Sequence, residues 1–307
     1  MRRSWVLSFI VIAFIPLRAH AEVPSTNPSD IALDVRHARP PMRELGLGEA
    51  LGTGILSAGV LAATFMPYPV HETPPWQGGI LFDDAIRNAL QLRSPQEREL
   101  ASTISDVIVG GLVLTPVFID ALLMSWLVRG DPELMGRMML MNLQAHAFAQ
   151  GLTTLFKHVV GRERPMARAC REDPERRQSD PTCDSSSDPD IDPASFFSGH
   201  ASLAFTSAAL MCLNHTQLGL FGPEGDAAMC ATGVALASTV GLLRILADRH
   251  YATDVIIGAL VGVIAGGLVP WLLHFNVGEA VGIDDMSATV APMVNQGNIG
   301  IQISGFW

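Results

Sequence analysis

Six long apolar stretches, each closed by polar residues, limit what this chain can fold into. They occupy residues 50–66, 103–128, 133–160, 201–220, 227–246 and 254–274. Runs of this length without strict alternation argue for helices, because strands are far shorter. The last is the most apolar, with no charged residue from 255 to 273. It carries Gly258, Gly262 and Gly266 at four-residue intervals, a spacing that lets two helices approach closely in lipid or in a soluble core. Charged residues make up only 16% of the chain against 49% hydrophobic ones. That charge content is well below the usual quarter and points to heavily buried or membrane-embedded helices. The formal net charge of -10 argues against nucleic acid as a partner.

The chain divides into four parts. Residues 1–21 read as a secretory signal: Arg2 and Arg3, then an apolar run, then Ala19-His20-Ala21 as a cleavage site. Residues 22–42 are Pro-rich and polar, a loose arm. Residues 43–275 hold the apolar stretches as one all-α bundle of about six core helices. In the tail, 276–307, residues 289–294 and 299–304 flank Asn295–Asn298, with Ile299, Ile301 and Ile303 alternating. This pattern predicts a small β-hairpin packed on the helices.

Export bears on the four cysteines. In an oxidising compartment Cys170 would pair with Cys183 within one polar loop, and Cys212 with Cys230 across another. Free buried thiols are the alternative, above all for the second pair. Residues 171–192 hold eight acids and three Arg, the pattern of a solvated loop or of a flap over a cationic pocket. Asp188, Asp190 and Asp192 lack the Gly and terminal Glu of an EF-hand. No zinc-type Cys/His spacing occurs, and no metal site or cofactor is expected.

Three short segments carry chemistry, and all lie at the ends of apolar stretches. They are Lys157 with Arg164-Pro165, then Ser198-Gly199-His200, then Arg244 with His250 and Asp254. A phosphoryl group in transfer spreads charge over three oxygens, and fixed cations and N–H donors stabilise it. Lys157 and Arg164 are seven apart, a spacing that puts them on one helix face. Gly199 lets backbone approach an oxyanion, and Ser198 adds a hydroxyl. A helix starting after His200 would point its N–H groups at the anion. His250 and Asp254 are spaced i, i+4, so the carboxylate can hold one ring nitrogen and leave the other to attack phosphorus. His200 remains to protonate the leaving oxygen. Each segment alone is a weak signal; the three in order are specific.

At these residues the chain resembles the type 2 phosphatidic acid phosphatase (PAP2) superfamily, which includes bacterial acid phosphatases and vanadium haloperoxidases. The resemblance spans roughly residues 135–271. It implies an all-α fold with phosphate held by Lys157, Arg164, Ser198, Gly199 and Arg244, His250 as nucleophile, Asp254 as its partner and His200 as general acid. Phe197 stands where the family usually has Pro, and Leu243 where it usually has Ser; both changes bear on substrate preference and loop geometry.

The reading is an exported, metal-independent phosphatase acting on lipid phosphates such as phosphatidic acid or an isoprenoid diphosphate. Alternatives are a soluble acid phosphatase on small phosphomonoesters, a haloperoxidase using vanadate as cofactor, and a non-catalytic envelope protein. Location poses a conflict. If the signal is cleaved and all six stretches cross a membrane, Lys157 falls in the cytoplasm and Cys170 and Cys183 in a reducing compartment. The third stretch, with Arg137, Gln144, His146 and Gln150, is a poor span. The expectation is therefore that few or no stretches cross, in a periplasmic domain that is soluble or membrane-associated.

Overall fold

The computed structural model describes residues 42–44, 46–64, 74–180, 183 and 194–275, and the backbone of 287–295 and 298–306. The expected signal, nearly all of the arm and the Asp188/Asp190/Asp192 loop lie outside the described residues.

Nine helices form the described bundle. They are α1 (Leu47–Ala63), α2 (Asp83–Leu90), α3 (Pro95–Val128), α4 (Pro132–Val160), α5 (Pro165–Glu172), α6 (Pro174–Ser179), α7 (Gly199–Leu218), α8 (Pro223–Leu246) and α9 (Ala252–His274). The six apolar stretches became α1, α3, α4, α7, α8 and α9. The short helices α2, α5 and α6 were not read from the sequence, because they are polar and carry little apolar periodicity. The second stretch begins eight residues earlier than expected, at Pro95 rather than 103, and Pro116 does not end it. The helix continues from Pro116 in wider, π-type turns, and Asn142 Nδ2 donates to the Pro116 carbonyl at 3.2 Å. A side chain from a neighbouring helix thus satisfies an acceptor in the irregular stretch.

Helix ends follow their caps. Asp131 accepts from Leu134 N at 2.9 Å to start α4. Gly161 and Gly219, both at φ 56°, close α4 and α7 in the left-handed conformation that glycine adopts without strain.

The long helices run up and down, so chain order decides which ends meet. Arg129, at the end of α3, donates to the carbonyls of Leu218 (3.1 Å) and Gly219 (2.6 Å) at the end of α7. The starts of α3, α7 and α9 and the ends of α4 and α8 therefore gather at the other end of the bundle, where all three sequence segments lie. The core at the Arg129 end contains Leu134, Met138, Met141 and Leu210; a second cluster joins Val109, Leu112, Ala204, Ala208 and Val240.

The glycine stripe sets the register of α9 on α7. A Cβ at Gly258 would lie 2.5 Å from Ser198 O, at Gly262 2.4 Å from Ser202 O, and at Gly266 2.0 Å from Thr206 O. No side chain fits there, and overpacking of this kind typically costs about 1–3 kcal/mol or more. The stripe therefore holds the start of α9 against the start of α7.

Three helices, α3, α8 and α9, are long and apolar enough to cross a membrane. A third or less of each apolar window is buried. Val107, Leu127, Leu236, Ile256, Leu260 and Leu272 are among the large apolar side chains on the outside. The expectation was that few or no stretches cross; by length and composition three of the six are able to. The polar residues that made the third stretch a poor span include His146, which is buried and bonded to Asn142 O (2.8 Å) and Ser207 Oγ (2.9 Å).

In the tail, Ser287–Asn295 and Asn298–Phe306 pair antiparallel, from Ser287 with Phe306 to Asn295 with Asn298. The residues joining them, and the expected packing on the helices, lie outside the described residues. The described bundle is all-α.

Candidate active site

Lys157 lies in the last turn of α4. Gly161 then breaks the helix, and Arg164 stands immediately before α5 as its N-cap residue. The two cations do not share a helix face as their spacing suggested; a turn brings Arg164 back, where its Nη1 donates to Arg249 O at 3.4 Å. Ser198 is the N-cap of α7, its hydroxyl 3.4 Å from Ala201 N. Its own N–H donates to Asp254 O at 3.0 Å. Helix α7 starts at Gly199, two residues earlier than expected, so Gly199 and His200 head its open N–H groups. A Cβ at Gly199 would sit 3.1 Å from Thr153 Cγ2 and 3.9 Å from Lys157 Nζ, which places the ammonium beside this turn.

Arg244, in the last turn of α8, is buried. Its Nη1 donates to Ser102 Oγ (3.0 Å), Ser105 Oγ (3.2 Å) and Asp106 Oδ1 (3.4 Å), all on α3. His200 Nε2 lies 2.8 Å from the same Asp106 oxygen. The His200 side chain is 34% exposed, enough for a leaving group to reach it.

His250 sits in the turn between α8 and α9, fully enclosed. Its Nδ1 lies 2.9 Å from the backbone oxygen of Ser195. A carbonyl only accepts, so Nδ1 carries the proton and the neutral ring keeps its lone pair on Nε2, the atom able to attack phosphorus. Burial, then the charges of Arg164, Arg244, Lys157 and His200, hold His250 well below its ordinary value of 6.5. The ring is therefore neutral and nucleophilic near pH 7. Burial also lowers His200, against its hydrogen bond to Asp106 and together with the charges of Arg244 and Lys157.

The expected His250–Asp254 contact takes a different form. Asp254 Oδ2 is 3.8 Å from His250 Nδ1. The carboxylate is instead held by Arg162 Nη1 (2.5 Å), Ser195 Oγ (2.6 Å) and Tyr251 N (3.0 Å). The i, i+4 rule assumes a continuous helix, and α9 begins only at Ala252. Ser195 links the two groups: its hydroxyl donates to Asp254, its carbonyl accepts from His250, and its N–H donates to Arg162 O at 2.9 Å.

Several residues in this scaffold were not singled out from sequence. Buried Arg162 bridges Asp254 and Asp83, the latter at 2.7 Å, and stacks between the rings of Trp76 (4.4 Å) and Tyr251 (4.1 Å). Asp83 also accepts from Thr253 N (2.9 Å) and Oγ1 (2.7 Å). Asp248, left-handed at φ 59° in the turn before His250, takes a two-pronged bond from Arg87 at 2.6 and 2.7 Å. An acid inside an apolar stretch (Asp106) and an extra Arg between Lys157 and Arg164 (Arg162) were the available signals. Cys170–Cys183 and Cys212–Cys230 are both disulfides, paired as expected. The first ties α5, which follows Arg164, to Cys183. Among the described residues no cluster of His, Cys, Asp or Glu has metal-holding geometry.

The model of the PAP2 superfamily matches residues 140–277. The chain is 24% identical over 283 residues to a lipid A 1-phosphatase of Porphyromonas gingivalis, covering 88% of this chain and 51% of that protein. It thus spans about half the length of this curated relative. A solved transmembrane PAP2-type phosphatidylglycerolphosphate phosphatase from Bacillus subtilis aligns with 72% of this chain and 93% of its own, at 19% identity and a TM-score of 0.46.

Proposed function

We propose that this chain is a phosphatase of the PAP2 superfamily, whose model matches residues 140–277, and that it hydrolyses lipid phosphates through a phosphohistidine, without a metal. The observation that carries this reading is the convergence of His250, His200 and the cations Lys157, Arg164 and Arg244 at one end of a bundle with apolar outer walls.

Substrate phosphate lies among Lys157, Arg164, Arg244 and the N–H groups opening α7. His250 Nε2 gives its lone pair to phosphorus as the bond to the leaving oxygen breaks, and His200 protonates that oxygen. Water, deprotonated by His200, then attacks phosphorus, breaks the P–N bond and releases phosphate. Fixed cations and helix N–H groups are oriented before the charge develops, which is where such sites gain most. Asp254 contributes by fixing the turn that presents His250, through Arg162 and Ser195.

A phosphorylated amphiphile fits the surroundings. Leu155, Phe156 and Val159 flank Lys157 on α4 and are exposed, a setting for acyl chains beside a phosphate pocket. The curated relative acts on lipid A, so a glycolipid phosphate belongs among the substrates tested. We infer an integral membrane protein of the envelope with the site on the outer face. The exposed apolar helices support the first part, and the Cys170–Cys183 bond near Arg164 the second, since disulfides persist in oxidising compartments.

The test is phosphate release from lipid A, phosphatidic acid, phosphatidylglycerolphosphate, an isoprenoid diphosphate and small phosphomonoesters, with and without chelator. The reading expects chelator-resistant release from at least one lipid, lost in His250→Ala. Activity confined to small esters, or retained by His250→Ala, contradicts it. Alkaline carbonate extraction of envelopes tests the location, and release into the soluble fraction would overturn membrane insertion.

A further inference from the structure

Asp106 lies outside the three sequence segments and outside the residues matched by the family model. It is an acid in an otherwise apolar reach of α3, yet it meets the site rather than the apolar exterior. Its Oδ1 is 2.8 Å from His200 Nε2 and 3.4 Å from Arg244 Nη1. Ser102 and Ser105, one turn and one residue before it, hold the same guanidinium. One face of α3 thus docks on the general acid and on a phosphate cation together.

We propose that Asp106 is a positioning residue for the general acid, its carboxylate holding His200 Nε2–H so that Nδ1 faces the leaving oxygen and carries the proton it delivers. The inference rests on the phosphatase reading above.

The charges around His200 explain why such a partner is needed. It faces Arg244 from α8, Lys157 from α4 and His250 from the turn before α9. The charges of Arg244 and Lys157 disfavour an imidazolium, and a general acid must hold its proton until the leaving oxygen takes it. Asp106, from α3, is the carboxylate hydrogen-bonded to the ring. A carboxylate this close to a phosphate pocket would also repel substrate, and Arg244 on the same oxygen offsets that repulsion. The Asp106 side chain is 54% exposed, so its effect on His200 is moderate rather than that of a buried dyad.

The proton matters in proportion to how poor the leaving group is. An alkoxide leaves badly without it; p-nitrophenolate leaves readily. General acid catalysis is worth roughly 10²–10⁴-fold, and loss of a partner that tunes the acid should remove a fraction of that. The experiment compares kcat/KM of wild type, Asp106→Asn, Asp106→Glu, His200→Gln and the Asp106→Asn/His200→Gln double variant on dodecyl phosphate and p-nitrophenyl phosphate, across pH. The proposal predicts that Asp106→Asn loses about 10-fold or more on the alkyl ester and under about 3-fold on the aryl ester. Its alkaline limb on the alkyl ester moves to lower pH, Asp106→Glu recovers part of the rate, and the double variant is no worse than His200→Gln.

Equal losses on both esters, an unmoved alkaline limb, or additive losses in the double variant would each overturn it. An Asp106→Asn protein that fails to fold transfers the decision to Asp106→Glu, whose alkyl and aryl rates must then diverge in the same sense. Wild-type protein inactive on both esters and on every lipid would instead sink the phosphatase reading, and the proposal with it.

Discussion

Both ends of the bundle bury a histidine among charged side chains, and the two outcomes differ. At the site end His250 faces Arg164, Arg244 and Lys157, and its Nδ1 is spent on a backbone carbonyl. At the Arg129 end His215 lies between two carboxylates, Asp226 at 2.6 Å from Nδ1 and Asp120 at 3.3 Å from Nε2. Asp120 also takes Asn214 Nδ2 at 3.0 Å, and Asp226 accepts from Phe221 N at 2.9 Å. Each ring nitrogen of His215 lies beside a carboxylate, and the cluster joins α3, α7 and α8. The far end uses its polar groups to lock helices together. The site end concentrates positive charge around a neutral ring, the setting proposed above to receive a phosphate. The same residue type is therefore a structural clasp in one place and the proposed nucleophile in the other, and the sign of the neighbouring charge separates the two.

The largest expected effect lies at the clasp. Asp226→Ala leaves His215 and Phe221 N without their acceptor, and removing one partner of a buried pair costs about 3–5 kcal/mol. The expected result in chemical denaturation is a loss of that order, with kcat of the folded fraction within about 2-fold of wild type. At the site end Arg244→Ala should do the reverse. Loss of one oriented donor to a transferring group costs roughly 10²–10³ in rate. Stability measured in the same way should change by less than half of the Asp226→Ala loss. A comparable loss of stability in both variants would mean that the two ends are not specialised.

The smallest effect is on pH dependence. Because burial and neighbouring cations hold His250 well below 6.5, it stays unprotonated until the medium is more acidic than that. The acid limb of kcat/KM assigned to the enzyme should fall below pH 6.5, once the substrate's own ionisation near 6 is allowed for. Arg244→Ala removes one of those cations, so the limb should move to higher pH. A limb at or above 6.5 in wild type, or one that Arg244→Ala shifts downward, contradicts the electrostatic account.

How much of this was legible in the sequence depends on distance along the chain. The apolar stretches and the glycine stripe were readable because periodicity and four-residue spacing are local. Lys157, Arg164, Ser198, Gly199, His200, Arg244, His250 and Asp254 were readable because they form short segments at the ends of those stretches. The scaffold beneath them was not. Asp83 meets Thr253 across 170 residues, and Arg162 meets Asp254 across 92; no local pattern encodes such pairs. Two local rules also misled. The spacing of Lys157 and Arg164 assumed a helix that Gly161 ends, and the spacing of His250 and Asp254 assumed one that had not begun. Asp106 and Asp120 were visible only as interruptions of one apolar stretch, and each proved to serve a different end of the bundle.

The central claim is that His250 Nε2 becomes bonded to phosphorus, and trapping tests it directly. Wild-type protein would be mixed with a radiolabelled phosphate ester, quenched in base, digested and mapped, since a P–N bond survives base and hydrolyses in acid. The account predicts acid-labile, base-stable label on the peptide carrying His250, absent in His250→Ala. Label on another residue, or full turnover with no trapped label under conditions where hydrolysis of the intermediate limits the rate, would contradict it.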